Sequence, residues 1–283
     1  MNVIYDRVEP TSRETNRVAG KGRGRGSAGA LRERRMAIAE RVVKNGSASV
    51  DDLVELTGVS AMTVYRDIEA LEEAGVLIRH RGQVTAVATG LNEIAASIRV
   101  NQNADLKQEV ARVVAAQIRP GSSILVDDST TALWVLRMLE VVPITVVTNS
   151  MLVARELERR SGVRLFITGG EYQAWSESMV GQTTTEVIAG VRADYFLVSA
   201  SGISDLQCFH PFEDCVQVKR AMMASAAQSI LLLDHTKLDR RALHTFASMT
   251  DFDQVIVDSQ TPDDVVAHLA ERQVPVVKAP GRP

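Results

Sequence analysis

The loop Asp127-Asp128-Ser129-Thr130-Thr131 sets two carboxylates and three hydroxyls after an apolar run at 124–126 and before a helical stretch at 133–139. Hydroxyls beside the unpaired N–H groups of a helix N-terminus make an anion site. Thr148-Asn149-Ser150, after the run 144–147, and Ser199-Ala200-Ser201-Gly202, after 195–198, have the same character. Loops that follow strands are where open α/β sheets bind ligands. Asp127, Ser129, Thr130, Thr131, Asn149, Ser150, Ser201 and Gly202 are therefore candidate ligand residues. Six lysines stand against 26 arginines, yet Lys219 and Lys237 fall in this half of the chain. A compact ammonium on a flexible stem suits a phosphate or carboxylate. An ion pair with Asp234 is the alternative for Lys237, and an ordinary helix-surface position for Lys219.

Cys208, His210, Glu213 and Cys215 lie within eight positions. The spacing C-x-H-x₄-C matches no closed tetrahedral zinc set, and no second pair occurs. A loop closing over a ligand, with His210 hydrogen-bonding it, is expected instead, without metal or cofactor.

A second constellation lies at 60–82. Ser60 can cap a helix whose Val64, Ile68 and Leu71 recur at i, i+4 and i+7, so one side is buried. The other side shows Met62, Tyr65 and Arg66, with Thr63 near its start. Ahead of it, Ser49 and Asp52 form a capping box, Val50, Leu53, Val54 and Leu56 face a core, and Gly58 makes the turn. Gly75 ends the second helix, and β-prone runs at 76–78 and 84–87 flank a basic tip carrying Arg79 and Arg81. Two helices, a tight turn and a basic wing are the grammar of a winged helix-turn-helix, which places its second helix in the major groove. Ser60, Met62, Thr63, Tyr65, Arg66, Arg79 and Arg81 are the expected DNA contacts. A helical hairpin used for protein contact is the alternative.

These groups need two kinds of scaffold. Residues 1–30 read as a disordered basic tail, either a solvated tail or an arm along phosphates. Residues 31–88 form the winged helix-turn-helix, 89–119 a helical linker, and 120–283 an α/β domain. In the last, apolar runs at 124–126, 144–147, 164–167, 195–199, 230–233 and 255–257 alternate with helical stretches. Continuous β-branched runs separated by helices argue for a mostly parallel sheet covered on both faces. Net charge is −3, but residues 1–90 carry 14 Lys and Arg against 12 Asp and Glu, and the remainder 18 against 23. Positive charge sits beside the helix-turn-helix, where phosphate neutralisation needs it. With no long uncharged apolar run and no apolar leader, neither a membrane span nor a secretory signal is expected. Two cysteines are no disulfide framework, and a cytoplasmic home is the simplest.

Ser60-x-x-Thr63-Val64-Tyr65-Arg66-Asp67-Ile68, followed by Leu71-Glu72-x-x-Gly75-x-Leu77, resembles the signature of the DeoR/GlpR family of bacterial transcriptional regulators. The family often has Arg at position 65, so Tyr65 implies a changed operator preference, and Asp67 reads as a packing residue. The resemblance covers nearly everything after residue 31. Gly169-Gly170, Lys219 and Asp234-His235-Thr236-Lys237 continue it and add Gly170 to the candidate ligand residues. It implies a sensor domain similar in fold to ribose-5-phosphate isomerase and CoA-transferase domains. It also implies a homo-oligomer, dimer or tetramer, that binds double-stranded operator DNA and is released by a phosphorylated sugar or polyol. Two departures stand out: Ser129 replaces a glycine, which matters if that position needs φ > 0, and Gln217 replaces an acid. Isomerases of this fold supply their base from a D-G-A-D-E loop; the comparable 199–202 has no acid until Asp205, so binding without turnover is expected.

Overall fold

Apolar spacing in the N-terminal third builds three helices against a small sheet. The computed structural model describes residues 28–45, 47–73, 76–80, 82–86, 93, 96–173 and 175–281. The elements are α1 (Ala28–Asn45), β1 (Ser47–Ser49), α2 (Val50–Thr57), α3 (Ala61–Glu73), β2 (Leu77–His80) and β3 (Gln83–Ala86). Ser49 and Asp52 close the expected capping box on α2, and Gly58 stops that helix at φ 65°, its N–H bonded to Val54 O. Ile38, Val42, Leu53, Val64, Ile68, Leu77 and Val84 share one core. β3 pairs antiparallel with β2 and with β1, so the wing has a third strand that period alone did not signal. Gly75, Arg81 and the 1–27 part of the basic tail lie outside the described residues.

The second unit holds α4 (Ala96–Arg99), α5 (Ala104–Ala115), β4 (Ser123–Val126), α6 (Thr130–Met138), β5 (Ile144–Thr148), α7 (Met151–Leu157) and β6 (Val163–Ile167). There follow β7 (Glu171–Gln173), β8 (Ser178–Val180), α8 (Gln182–Ala189), β9 (Ala193–Val198), β10 (Gly202–Ser204) and β11 (Gln207–His210). The chain continues through α9 (Glu213–Ala224), β12 (Ala226–Leu233), β13 (His244–Ser248), β14 (Gln254–Val257), α10 (Asp263–Glu271) and β15 (Val276–Lys278). A parallel sheet runs β15-β14-β12-β9-β4-β5-β6. Alternate strand residues enter opposite cores. Leu125, Phe196, Val198, Leu231 and Leu233 meet α8 and α9, while Ile124, Val126, Leu197, Ile230 and Leu232 meet α5, α6 and α7.

Residues 89–119 were expected as a linker, and the structure corrects this for α5. Val110, Val114 and Ile118 belong to the same core as Ile124, Leu133 and Leu136, so α5 is a layer of the α/β unit. The segment at 208–215, expected as a loop, is strand β11 followed by the start of α9, with β11 paired to β10 and β13. Among the described residues, no helix is long and apolar enough to cross a membrane.

Candidate functional site

On α3, Val64, Asp67 and Ile68 face inward, and Met62, Tyr65 and Arg66 are exposed. Ser60 caps the helix: its hydroxyl accepts from the Thr63 N–H at 3.3 Å and pairs with the Thr63 hydroxyl at 3.0 Å. Thr63 is half-buried and engaged with the cap, whereas Met62, Tyr65 and Arg66 face outward. The Arg79 guanidinium lies 5.3 Å from the Tyr65 ring centroid, and the Arg79 N–H donates to Glu72 at 2.5 Å. That cation–π contact ties the wing to α3. Asp67 is buried and accepts from Arg34 Nε at 2.6 Å and Arg35 Nε at 3.0 Å, clamping α3 to α1.

The second site sits where the strand order reverses. β4 is flanked by β5 on one side and β9 on the other, and such switch points open a crevice at the strands' C-terminal ends. The loops after β4, β9 and β12 line it with Ser129, Thr130, Thr131, Ser199, Ser201, Asp234 and Lys237, closed by Arg99, Asn103 and Lys107 from α4 and α5. The cavity itself is small, about 70 Å³. Five basic side chains line it, Arg99, Lys107, Lys219, Lys237 and Arg240, against one acid, Asp234.

Behind this lining, carboxylates hold two of the cations. Lys219 Nζ donates to Asp127 and, at 3.3 Å, to the Ser199 carbonyl; Asp128 lies 3.9 Å away. Burial opposes the Lys219 charge, but Asp127 and Asp128 outweigh it and push its pKa up. Arg99 donates to Asp128 at 2.9 Å. Burial also works against Asp128 ionising, yet Lys219 and Arg99 hold it at about 2. The Arg99 Nε is buried without a hydrogen-bond partner among the described residues. The Ser201 hydroxyl donates to Glu93, whose charge burial opposes but Arg99 and Lys237 sustain, at about 2. His210 lines the pocket; burial, then Lys219, push it down to about 4. Its Nδ1 lies 3.2 Å from the Phe212 N–H and 3.3 Å from the Phe212 carbonyl, which fixes the ring against the start of α9.

Ser129, Thr130, Thr131, Ser201, Lys219 and Lys237 line the pocket, and five candidates do not. Asp127 sits behind Lys219, its other oxygen taking the Ser129 N–H at 2.9 Å. Asn149 donates to the Met179 carbonyl at 2.7 Å and pins β8, and Ser150 caps α7. Gly170 packs where a Cβ would lie 2.0 Å from Thr184 Oγ1. The last three follow β5 and β6, on the far side of β4 from the switch. Gly202 follows the lining residue Ser201, its backbone set against the Arg240 carbonyl, which a Cβ would approach to 2.4 Å. The expected cost of Ser129 is also corrected. Its φ is −68°, so no glycine is required, and its hydroxyl accepts from the Ser199 N–H at 2.9 Å, tying the β4 and β9 loops together.

Sequence reasoning missed Arg99, Asn103, Lys107, Thr236 and Arg240. One signal was available: Lys107 lies i+3, i+4 and i+7 from Val110, Ala111 and Val114, on the apolar stripe of α5. A charged residue on a buried face needs a polar partner inside. No spacing points to Arg99 or Arg240.

The family model for the DeoR C terminal sensor domain matches residues 102–259, and that for the DeoR-like helix-turn-helix domain matches 34–89. The chain is 29% identical to the glycerol-3-phosphate regulon repressor of Escherichia coli K12, over 86% of this chain and 96% of that protein. It is 26% identical to the L-fucose operon activator of Haemophilus influenzae, over 85% and 97%. Among solved structures, ribose 5-phosphate isomerase A of Methanocaldococcus jannaschii aligns at 17% identity and TM-score 0.34, covering 48% of this chain and 55% of that one.

Proposed function

This chain belongs to the DeoR family of DNA-binding transcriptional regulators, and from that premise we propose that it represses a carbohydrate-catabolic operon and leaves its operator when a phosphorylated sugar or polyol fills the pocket. The observation that carries this reading is the lining of five cations against one acid beside the N-terminus of α6. The buried, unpartnered Arg99 Nε supports it, since a phosphoryl oxygen would satisfy it. Hydroxyls of Thr130, Thr131 and Ser201 suit the polyol part. Met62, Tyr65 and Arg66 read the groove, with Ser60 and Thr63 setting the helix end and Arg79 meeting phosphates from the wing. Two protomers of a homo-oligomer in the cytoplasm then read two half-sites, because one short helix offers few base contacts. To release DNA the ligand must favour a state with the wrong half-site spacing; tight binding alone shifts nothing.

Turnover is disfavoured by the site itself. Asp127 and Asp128 are committed to Lys219 and Arg99, which leaves neither as a free base. The activator relative favours one second reading, a regulator that needs its ligand to bind DNA. Gel shifts with the DNA upstream of its own gene, with and without a panel of sugar phosphates, separate the two. A repressor loses its band when ligand is added, whereas an activator gains one. Arg66→Ala should weaken the band about tenfold or more, the ~1–3 kcal/mol of a base or phosphate contact, with pocket binding unchanged. A band that no sugar phosphate alters would sink the proposal.

A further inference from the structure

Lys107, Lys219 and Lys237, three of the chain's six lysines, line this pocket, and they are not equivalent. Lys219 is neutralised by Asp127. Lys107 is only 4% exposed, yet no carboxylate lies within ion-pairing distance of it among the described residues. Its Nζ donates to two uncharged acceptors, the Arg99 carbonyl and, at 2.9 Å, the Thr130 hydroxyl. An ammonium has three donors, and these two bonds occupy two of them. Thr130 lines the same pocket and opens α6, whose first N–H groups have no partner within the helix.

The charged groups around Lys107 come from every side of the pocket. Arg99 and Glu93 belong to the segment at α4, Asp128 sits beyond on Arg99, and Asp234, Lys237 and Arg240 follow β12. Burial first, then Lys237 and Arg99, push Lys107 down to about 7; Asp234 and Glu93 only partly oppose this. Burial lowers Lys237 as well. Lys107 and Lys237 thus line one pocket in which burial outweighs the support of Glu93 and Asp234.

We propose that Lys107, with Lys237, grips the phosphoryl group at the N-terminus of α6 and takes up a proton as it does so, making the response to ligand weaken as pH rises above neutrality. This rests on the pocket being an anion site, as proposed above. A dianion seated there adds negative charge and restores the lysine's proton. The sign follows by linkage: a group neutral in the free protein and charged in the complex makes affinity fall with rising pH, by up to about tenfold per unit for one proton.

Sulfate is the probe, because its charge is constant around neutrality whereas a phosphate ester titrates near ~6. Calorimetry of the full chain in two buffers of different ionisation enthalpy should show proton uptake on binding sulfate at pH 8. Affinity should be about tenfold weaker at pH 8.5 than at pH 7. Lys107→Arg, which stays charged, should flatten that slope, and Lys107→Met should lose most of the affinity. The native-protein measurement stands even if a variant misfolds. Failure to bind sulfate, binding without proton uptake, or an unchanged pH profile in Lys107→Arg would each overturn the inference. Proton-linked sulfate binding in a protein whose DNA no sugar phosphate releases would keep it and reject the repressor reading. Release with a flat pH profile would do the reverse.

Discussion

Lys219 shows how a residue legible in the sequence can still mislead an experiment. Scarcity of lysine marks it as a ligand contact. In the fold, its ammonium neutralises Asp127, which is 1% exposed. Removing one partner of a buried pair strands the other charge, at about 3–5 kcal/mol. Lys219→Met should therefore lower the melting temperature markedly, and Asp127→Asn with Lys219→Met should recover most of the loss. Equal melting of the single and double variants would mean that the pair does not hold the fold. Only the double variant separates ligand recognition from stability. Ser129 teaches a related lesson. Its departure from a family glycine looked costly, but the backbone there is extended, and the hydroxyl makes a cross-loop bond that glycine cannot.

At the scale of elements, what the sequence revealed depended on burial. The six apolar runs became β4, β5, β6, β9, β12 and β14; apart from the half-exposed edge strand β6, they are continuously apolar because both faces of the sheet are covered. Strands β7, β8, β10, β11, β13 and β15 escaped notice, because at three to five residues each they are too short to carry a clear period. The capping box on α2 and the stripe on α3 were legible because both are local signals. The role of α5 was not, because its partners α6 and β12 lie downstream and only packing brings them together. The placement of Asn149, Ser150 and Gly170 failed for the same reason. A loop's chemistry can be read locally, but strand order decides which loops share a crevice. Gly202, at the start of β10, tests one such junction. A methyl group there must move the Arg240 carbonyl, an overpacking cost of about 1–3 kcal/mol. Gly202→Ala should weaken sulfate binding by about tenfold with DNA binding retained; unchanged sulfate affinity would show that the Arg240 segment does not shape the pocket.

For the whole molecule, opposite charge balances in the two parts of the chain fit a division between grip and signal. The N-terminal third carries the positive excess, and the α/β unit is acidic overall while keeping its pocket cationic. The Asp67 clamp alters what that excess is worth on DNA. Each phosphate neutralised by a free cation releases counterions and steepens the fall of log affinity with log salt by about 0.9. Arg34 and Arg35 share one buried carboxylate, so they should contribute little to that slope. Arg34→Gln or Arg35→Gln should leave the slope near its native value, whereas Arg66→Ala should flatten it by about one. A similar flattening in all three variants would count against the clamp's role. Among the described residues, Arg66 on α3 and Arg79 on the wing should therefore weigh more in counterion release than Arg34 and Arg35, and the complex should tolerate ionic strength better than the arginine content of that region suggests.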